Sequence, residues 1–128
     1  MSRRFAFGKS KRLYRQRDFR RVFEGRVRAA DGYLTVFVCP NGLDHPRLGI
    51  PVGRKFGNAI RRNRVKRLIR EAFRIEQGAL PSGFDLVCFP RPGRLGEVGQ
   101  YRKSLCRLAD GAVKRWRDRT PEPAREGD

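Results

Sequence analysis

Acid is what this chain has least of. Thirteen Asp and Glu face thirty-one Lys and Arg, a formal net charge of +18 over 128 residues. A surface so one-sided cannot neutralise itself through ion pairs, and its self-repulsion opposes folding, so a polyanionic partner is the simplest reading. The acids also lack grouping. Asp18, Asp31, Asp44 and Asp85 are scattered and read as cap and turn residues, and no carboxylate pair at helical spacing suggests a metal-dependent nuclease. The one histidine, His45, precedes Pro46 and reads as a turn residue rather than a general base. Nucleophile elbows, phosphate loops and dinucleotide fingerprints are missing. The three cysteines, Cys39, Cys88 and Cys106, are odd in number and share no CxxC spacing. That argues against a disulfide framework or a zinc site and predicts buried free thiols in a reducing, cytoplasmic setting. No apolar run is long enough for a signal peptide or a bilayer span, so no membrane association is expected.

What is present is enough for one domain with one core. Residues 1–14 are basic and aperiodic and read as an arm, ordered only where Leu13 and Tyr14 touch the body. In residues 15–25, Phe19, Val22 and Phe23 fall at helical spacing, with Gly25 as a plausible stop. Residues 33–39 alternate as a strand, with Leu34, Val36 and Val38 on one face and Tyr33, Thr35 and Phe37 on the other. Leu48, Ile50 and Val52 predict a second strand in which Pro51 implies an edge or a bulge. A basic turn follows from Gly53 to Gly57, and Asn58 is placed to cap a helix that runs to about Gln77, stopped by Gly78. Phe84 to Phe89 form a third strong strand. Residues 97–117 form a last helix with Val98, Tyr101, Leu105, Leu108, Ala112 and Trp116 on its core side. The domain is therefore expected over residues 15–117 and a disordered tail over 118–128. The order is helix, two or three strands, helix, strand, helix, which fits a small α+β sandwich.

Two constellations carry chemistry. On the central helix, Val65, Ile69, Ala72 and Phe73 share one side and should face the sheet. Asn63, Arg67, Arg70 and Arg74 share the opposite flank with Lys66 on its margin, and Arg54, Lys55, Arg61 and Arg62 extend the charge around the helix start. Cations three and four residues apart repel, and only Glu71 and Glu76 offset them, so this helix gains from phosphate. Arg far outnumbers Lys, which favours two-pronged contacts to nucleic acid. The second constellation is aromatic. Phe19 and Phe23 share a helix face, and Phe37 lies on the outer strand face. If the first helix packs across that face, the three rings line a groove suited to single-stranded nucleic acid. The bland alternative makes Phe19 and Phe23 core anchors of a short amphipathic helix.

The run from Lys55 through Gly57, Asn58, Ala59, Arg62, Asn63, Arg64, Lys66, Arg67, Arg70 and Glu71 resembles the signature of the protein subunit of bacterial ribonuclease P, including its Arg-Asn-Arg core. Asp18 to Phe23 resembles that family's first helix and Gly83 to Val87 its late strand, so the resemblance covers about residues 10–116. It implies an α/β sandwich with a left-handed β-α-β crossover, against the usual hand. It also implies a partnership with a catalytic RNA that removes the 5′ leader of precursor tRNA using Mg²⁺, with no catalytic residue or metal ligand on the protein and no obligate protein partner. By position, Arg62, Asn63, Arg64, Lys66, Arg67 and Arg70 would contact the RNA subunit, and Phe19, Phe23 and Phe37 would hold the leader. Arg54, Lys55, Arg61 and Arg74 would assist as a basic patch. Two positions depart from the family's habit. Gly53 stands where a Ser is frequent, and Phe37 where a Tyr is common, which keeps a stacking surface and loses a phenolic hydroxyl. Two other classes remain open at this level: a ribosomal-type RNA clamp, and an autonomous nuclease. A cationic membrane-surface protein is a third, weakened because the apolar faces are needed for a core.

Overall fold

The period-two pattern of residues 33–39 is realised as a central strand with both faces covered. The computed structural model describes residues 11–13 and 15–119. The chain runs through α1 (Gln16–Gly25), β1 (Arg28–Ala30), β2 (Leu34–Pro40), β3 (Arg47–Gly49), a 3-10 turn (Arg54–Phe56), α2 (Ala59–Glu76), β4 (Phe84–Pro90) and α3 (Val98–Arg119). One sheet takes the order β1-β2-β4-β3, with β2 antiparallel to β1 and β4, and β3 parallel to β4. A parallel pair needs a crossover rather than a hairpin, and α2 supplies it. The α+β sandwich and the β-α-β unit are thus as expected, and β1 brings the strands before α2 to three, at a place the sequence reading did not locate.

The sheet's two faces bury different things. Leu34, Val36 and Val38 of β2 and Leu86 and Cys88 of β4 point to one side. There they join Val65, Ile69, Ala72 and Phe73 of α2 and Tyr101, Leu105 and Ala109 of α3 in one cluster. Each of the Val, Leu, Ile and Phe side chains among them contributes about 1.5–3 kcal/mol by leaving water. The stripe on α2 is the one read from sequence and joins the sheet residues in this cluster, but the helix packs chiefly against α3, which is the helix that lies directly on β1 and β2. Glu76 ties the two helices, accepting from Arg102 Nε at 2.7 Å and Cys106 Sγ at 3.6 Å. On the other side, Leu13, Val22, Cys39 and Val87 form a smaller cluster beneath α1. The cysteines are free, Cys39 and Cys88 buried and Cys106 partly so.

Several boundaries differ from expectation. The second strand stops at Gly49, leaving Ile50, Pro51 and Val52 outside the sheet, where Pro51's missing N–H breaks no ladder. Residues 11–13 run beside β3 instead, Leu13 N–H donating to Leu48 O at 2.9 Å. Gly25 does not provide the left-handed stop of α1. Arg26 does, at φ 59°, its N–H bonded to Phe23 O at 3.0 Å. A Cβ on Gly25 would lie 2.9 Å from the Trp116 ring, so that glycine serves close packing with α3. Helix α3 continues to Arg119, past the expected end at 117. The arm over 1–10, Tyr14 and the tail from residue 120 lie outside the described residues.

Candidate nucleic-acid interface

Helix α2 begins as its sequence requires. The Asn58 side chain accepts from Arg61 N–H at 2.9 Å, satisfying one of the orphan donors of the first turn. The preceding turn is pinned by buried Phe56. Arg61 lays its guanidinium over that ring, 5.3 Å from the centroid, and its Nε donates to Phe56 O at 3.2 Å. Arg62 Nε donates to Gly57 O at 3.2 Å. Gly57, at φ 143°, holds a conformation side chains avoid, and a Cβ there would meet Arg61 at 2.6 Å. The turn therefore presents Arg54 and Lys55 outward while Arg61 and Arg62 brace it.

Beyond the turn, Asn63, Arg64, Arg67 and Arg70 are exposed on α2's outer flank, and Lys66 is half-buried at its edge. No carboxylate lies within ion-pair distance of Arg64, Lys66, Arg67 or Arg70 among the described residues. Arg74 differs, because its Nε and one Nη donate to the two oxygens of Glu71 at 3.0 and 2.5 Å. That pair holds the Glu71 carboxyl below its usual range. Glu76, the other acid expected to offset the patch, turns toward α3. Burial, and then the neighbouring Arg12, lower the proton affinity of Arg70, which remains cationic.

The expected aromatic trio is brought together, with a fourth member. Phe23 lies 6.4 Å from Phe19, 5.3 Å edge-on to Phe37 and 5.6 Å stacked on Phe89. Phe89 was legible only as a strand residue. Its alternation with Asp85 and Val87 places it on the α1 face, a signal that needed the pairing of β2 with β4. All four rings are half-buried, so they are at once packing and surface. Phe19 stands closest to the basic helix. It lines a cavity of about 350 Å³ with Leu48, Pro51, Arg12, Lys66 and Arg70, and an adjoining groove of about 570 Å³ with Phe23, Arg20 and Pro51. Its ring packs on bare backbone, for a Cβ on Gly49 would come within 2.6 Å of it.

What fixes α1 over the sheet is a carboxylate that sequence reading placed in a turn. Asp85 is fully buried in β4. Arg47 grips it with Nε and Nη2, both at 2.8 Å, Arg21 of α1 donates at 2.5 Å, and Asn41 donates at 2.9 Å. Asp18 is not simply a cap, since it joins the same cluster 3.9 Å from Arg21 and 3.8 Å from Arg47. Such a charge is tolerable in the interior only because every lone pair is met. Asp31 does act as a turn residue, accepting from the N–H of Tyr33 at 2.8 Å and of Leu34 at 3.0 Å. Among the described residues no group of three or more His, Cys, Asp and Glu side chains is arranged to hold a metal ion.

The sequence and the fold have known counterparts. A family profile described as Ribonuclease P matches residues 7–113. The chain belongs to the ribonuclease P protein family. The ribonuclease P protein component of Thermotoga petrophila is 46% identical over 86 residues, 67% of this chain and 74% of that protein. The one from Azotobacter vinelandii is 45% identical over 94 residues, 72% and 71% of the two chains. Among solved structures, the RNase P protein of Thermotoga maritima superposes with a TM-score of 0.67 at 40% identity, covering 75% of this chain and 96% of that one. That of Staphylococcus aureus gives 0.68 at 32%, covering 83% and 94%. Membership makes the chain the protein component of an endoribonuclease that works with an RNA subunit. No helix among the described residues is long and apolar enough to cross a membrane.

Proposed function

We propose that this chain binds the catalytic RNA of ribonuclease P and, beside it, the 5′ leader of precursor tRNA, promoting endonucleolytic release of the leader. In this reading Arg62, Asn63, Arg64, Lys66, Arg67 and Arg70 dock on the RNA subunit, with Arg54, Lys55, Arg61 and Arg74 in support. Phe19, Phe23 and Phe37 receive the leader. The cut is made by the RNA, and the Mg²⁺ it uses is held mainly by RNA, in keeping with a protein surface that gathers cations rather than carboxylates. Neither a further protein partner nor a membrane is required, and the setting is cytoplasmic.

One observation carries this reading: Phe19 lines both the apolar groove along α1 and the cavity that Lys66 and Arg70 close. Three cations, Arg12, Lys66 and Arg70, converge there on aromatic and aliphatic walls. An anion relieves their mutual repulsion, and a base attached to it has a ring on which to stack. A strand of RNA offers both groups on one chain. A protein that only clamps a folded RNA through its backbone needs these rings for packing alone and has no use for their exposed faces.

The test is reconstitution from purified protein, the ribonuclease P RNA of the same organism and a 5′-extended precursor tRNA at low Mg²⁺. Cleavage at the mature 5′ end that requires both macromolecules is expected, with residual cleavage by the RNA alone at high Mg²⁺. Cleavage by the protein without RNA would remove the chemistry from the RNA and sink the assignment.

A further inference from the structure

A second arginine cluster lies at the far end of α1, away from the basic face of α2. Arg26, Arg28, Arg115 and Arg119 surround a cavity of about 410 Å³ with Val27 and one acid, Asp118. Asp118 already faces Lys114 at 3.4 Å. The cradle is built rather than accidental. Arg115 donates one Nη to Arg28 O at 2.6 Å, and Arg119 donates one to Gly25 O. Each guanidinium has five N–H donors, so these bonds orient the groups and leave further donors on each. Arg28 is held over the Phe37 ring, 5.6 Å from its centroid. Arg26 sits in the left-handed conformation that non-glycine residues seldom adopt. The left-handed position falls one residue after Gly25, on a residue that lines the cavity with its charge.

We infer that this cradle binds backbone phosphates of single-stranded RNA, as a distal subsite for the 5′ part of the leader. The inference rests on the leader-binding role proposed above. Its ground is continuity: Phe19 and Pro51 join the basic cavity to the aromatic groove, and Arg26 joins that groove to the cradle. From Phe19 to Arg26 the helix rises about 10 Å, at 1.5 Å per residue. A strand stacked at about 3.4 Å per nucleotide passes roughly three phosphates over that distance. The cradle thus meets nucleotides a few positions further 5′ than those at Phe19. Two of its arginines, Arg115 and Arg119, lie beyond the span of the family match, which ends at residue 113. This subsite is therefore argued from this chain's own residues.

The experiment measures holoenzyme affinity for precursors with a two-nucleotide and a ten-nucleotide leader across a salt series. The readout is the ratio of the two dissociation constants. Wild type is expected to favour the long leader. In the Arg115→Ala/Arg119→Ala variant that preference should fall about three- to tenfold, and the salt slope for the long leader should drop by about 1.4, at 0.7 per phosphate. Arg26→Gly guards against misfolding: it relieves the left-handed strain, so thermal stability should hold or rise while the long-leader preference falls. An unchanged ratio in both variants overturns the subsite. Equal weakening for both leaders also overturns it, and assigns the cradle to the RNA subunit or to the fold. Failure of the leader-binding role beneath it looks different, since the wild-type holoenzyme itself would then bind the two precursors equally.

Discussion

The two faces of the sheet use the same strands for opposite ends. Toward α2 and α3, β2 and β4 present Leu34, Val36, Val38, Leu86 and Cys88, all buried and all apolar. Toward α1 the intervening residues of the same strands present Phe37, Cys39, Asp85, Val87 and Phe89, a mixture of half-buried rings and a buried carboxylate. Each helical layer also has one acid that fixes it. Asp85 holds α1 through Arg21, and Asp31 holds α3 through Ser104 at 2.6 Å and through Arg107. A face that only stabilises can close completely over hydrocarbon. If the α1 face binds as proposed, it must leave rings partly open, and so gives up burial that a polar anchor has to replace.

Neighbouring residues on β4 break that comparison most sharply. Leu86→Ala should destabilise the fold by about 2–5 kcal/mol through a cavity in the larger core. Asp85→Ala should cost about 1–3 kcal/mol, because Arg21 and Arg47 lose their main hydrogen-bond acceptor while staying partly exposed and near Asp18. Denaturant unfolding measures both. Function should separate them: under conditions where each variant is folded, Leu86→Ala should keep leader-dependent binding, and Asp85→Ala should lose it as α1 comes adrift. Retention of that binding in Asp85→Ala would mean that the Phe cluster alone positions α1.

The next effect is on the ring that joins the groove to the basic cavity. Gly49→Ala should displace Phe19 and cost about 1–3 kcal/mol in overpacking. Phe19→Ala should reduce affinity for precursor by about 1–3 kcal/mol if a base stacks there, while leaving mature tRNA binding alone. Equal losses for precursor and mature tRNA would make Phe19 a packing residue only. On the outer flank of α2, Arg67→Ala should lower the salt slope of RNA-subunit binding by about one. An unchanged slope would remove that contact.

These residues also mark what a sequence shows and what it conceals. The stripe of Val65, Ile69, Ala72 and Phe73, the Asn58 cap and the alternation of β2 are local patterns, and each is where its period puts it. The basic flank was visible for the same reason, since charge on one side of a helix needs no partner to be seen. Asp85, Phe89 and Gly49 were misread or passed over because their roles depend on register. Asp85 lies beside Cys39 on one neighbouring strand and Arg47 on the other. Nothing local announces that pairing, and an Asp two residues after Ser82-Gly83 looks like part of a turn. The left-handed stop falls on Arg26, and Gly25 instead lies where a Cβ would come 2.9 Å from the ring of Trp116, a contact distant in sequence that no local pattern announces. The Arg-Asn-Arg run pointed to the family before any contact was known, but the carboxylate that holds α1 in place came only from the sheet.

The smallest effect concerns Asp31, and it gives the comparison a pH axis. Burial pushes its carboxyl up. The bond from Ser104, those from the N–H groups of Leu34 and Tyr33, and the charge of Arg107 outweigh burial and hold it below the usual range. A carboxyl whose folded pKa is depressed stabilises the fold above its unfolded value, about 3.9, and loses that contribution as pH falls through the folded value. Asp31→Asn should therefore be less stable than wild type at neutral pH. The gap should begin to close as pH drops past about 4 and narrow further through the folded pKa. Unfolding free energies measured at a series of pH values settle this. Curves that stay parallel into acid would mean that the charge on Asp31 contributes nothing, and that Ser104 and the β-turn are held by hydrogen bonds an amide supplies equally well.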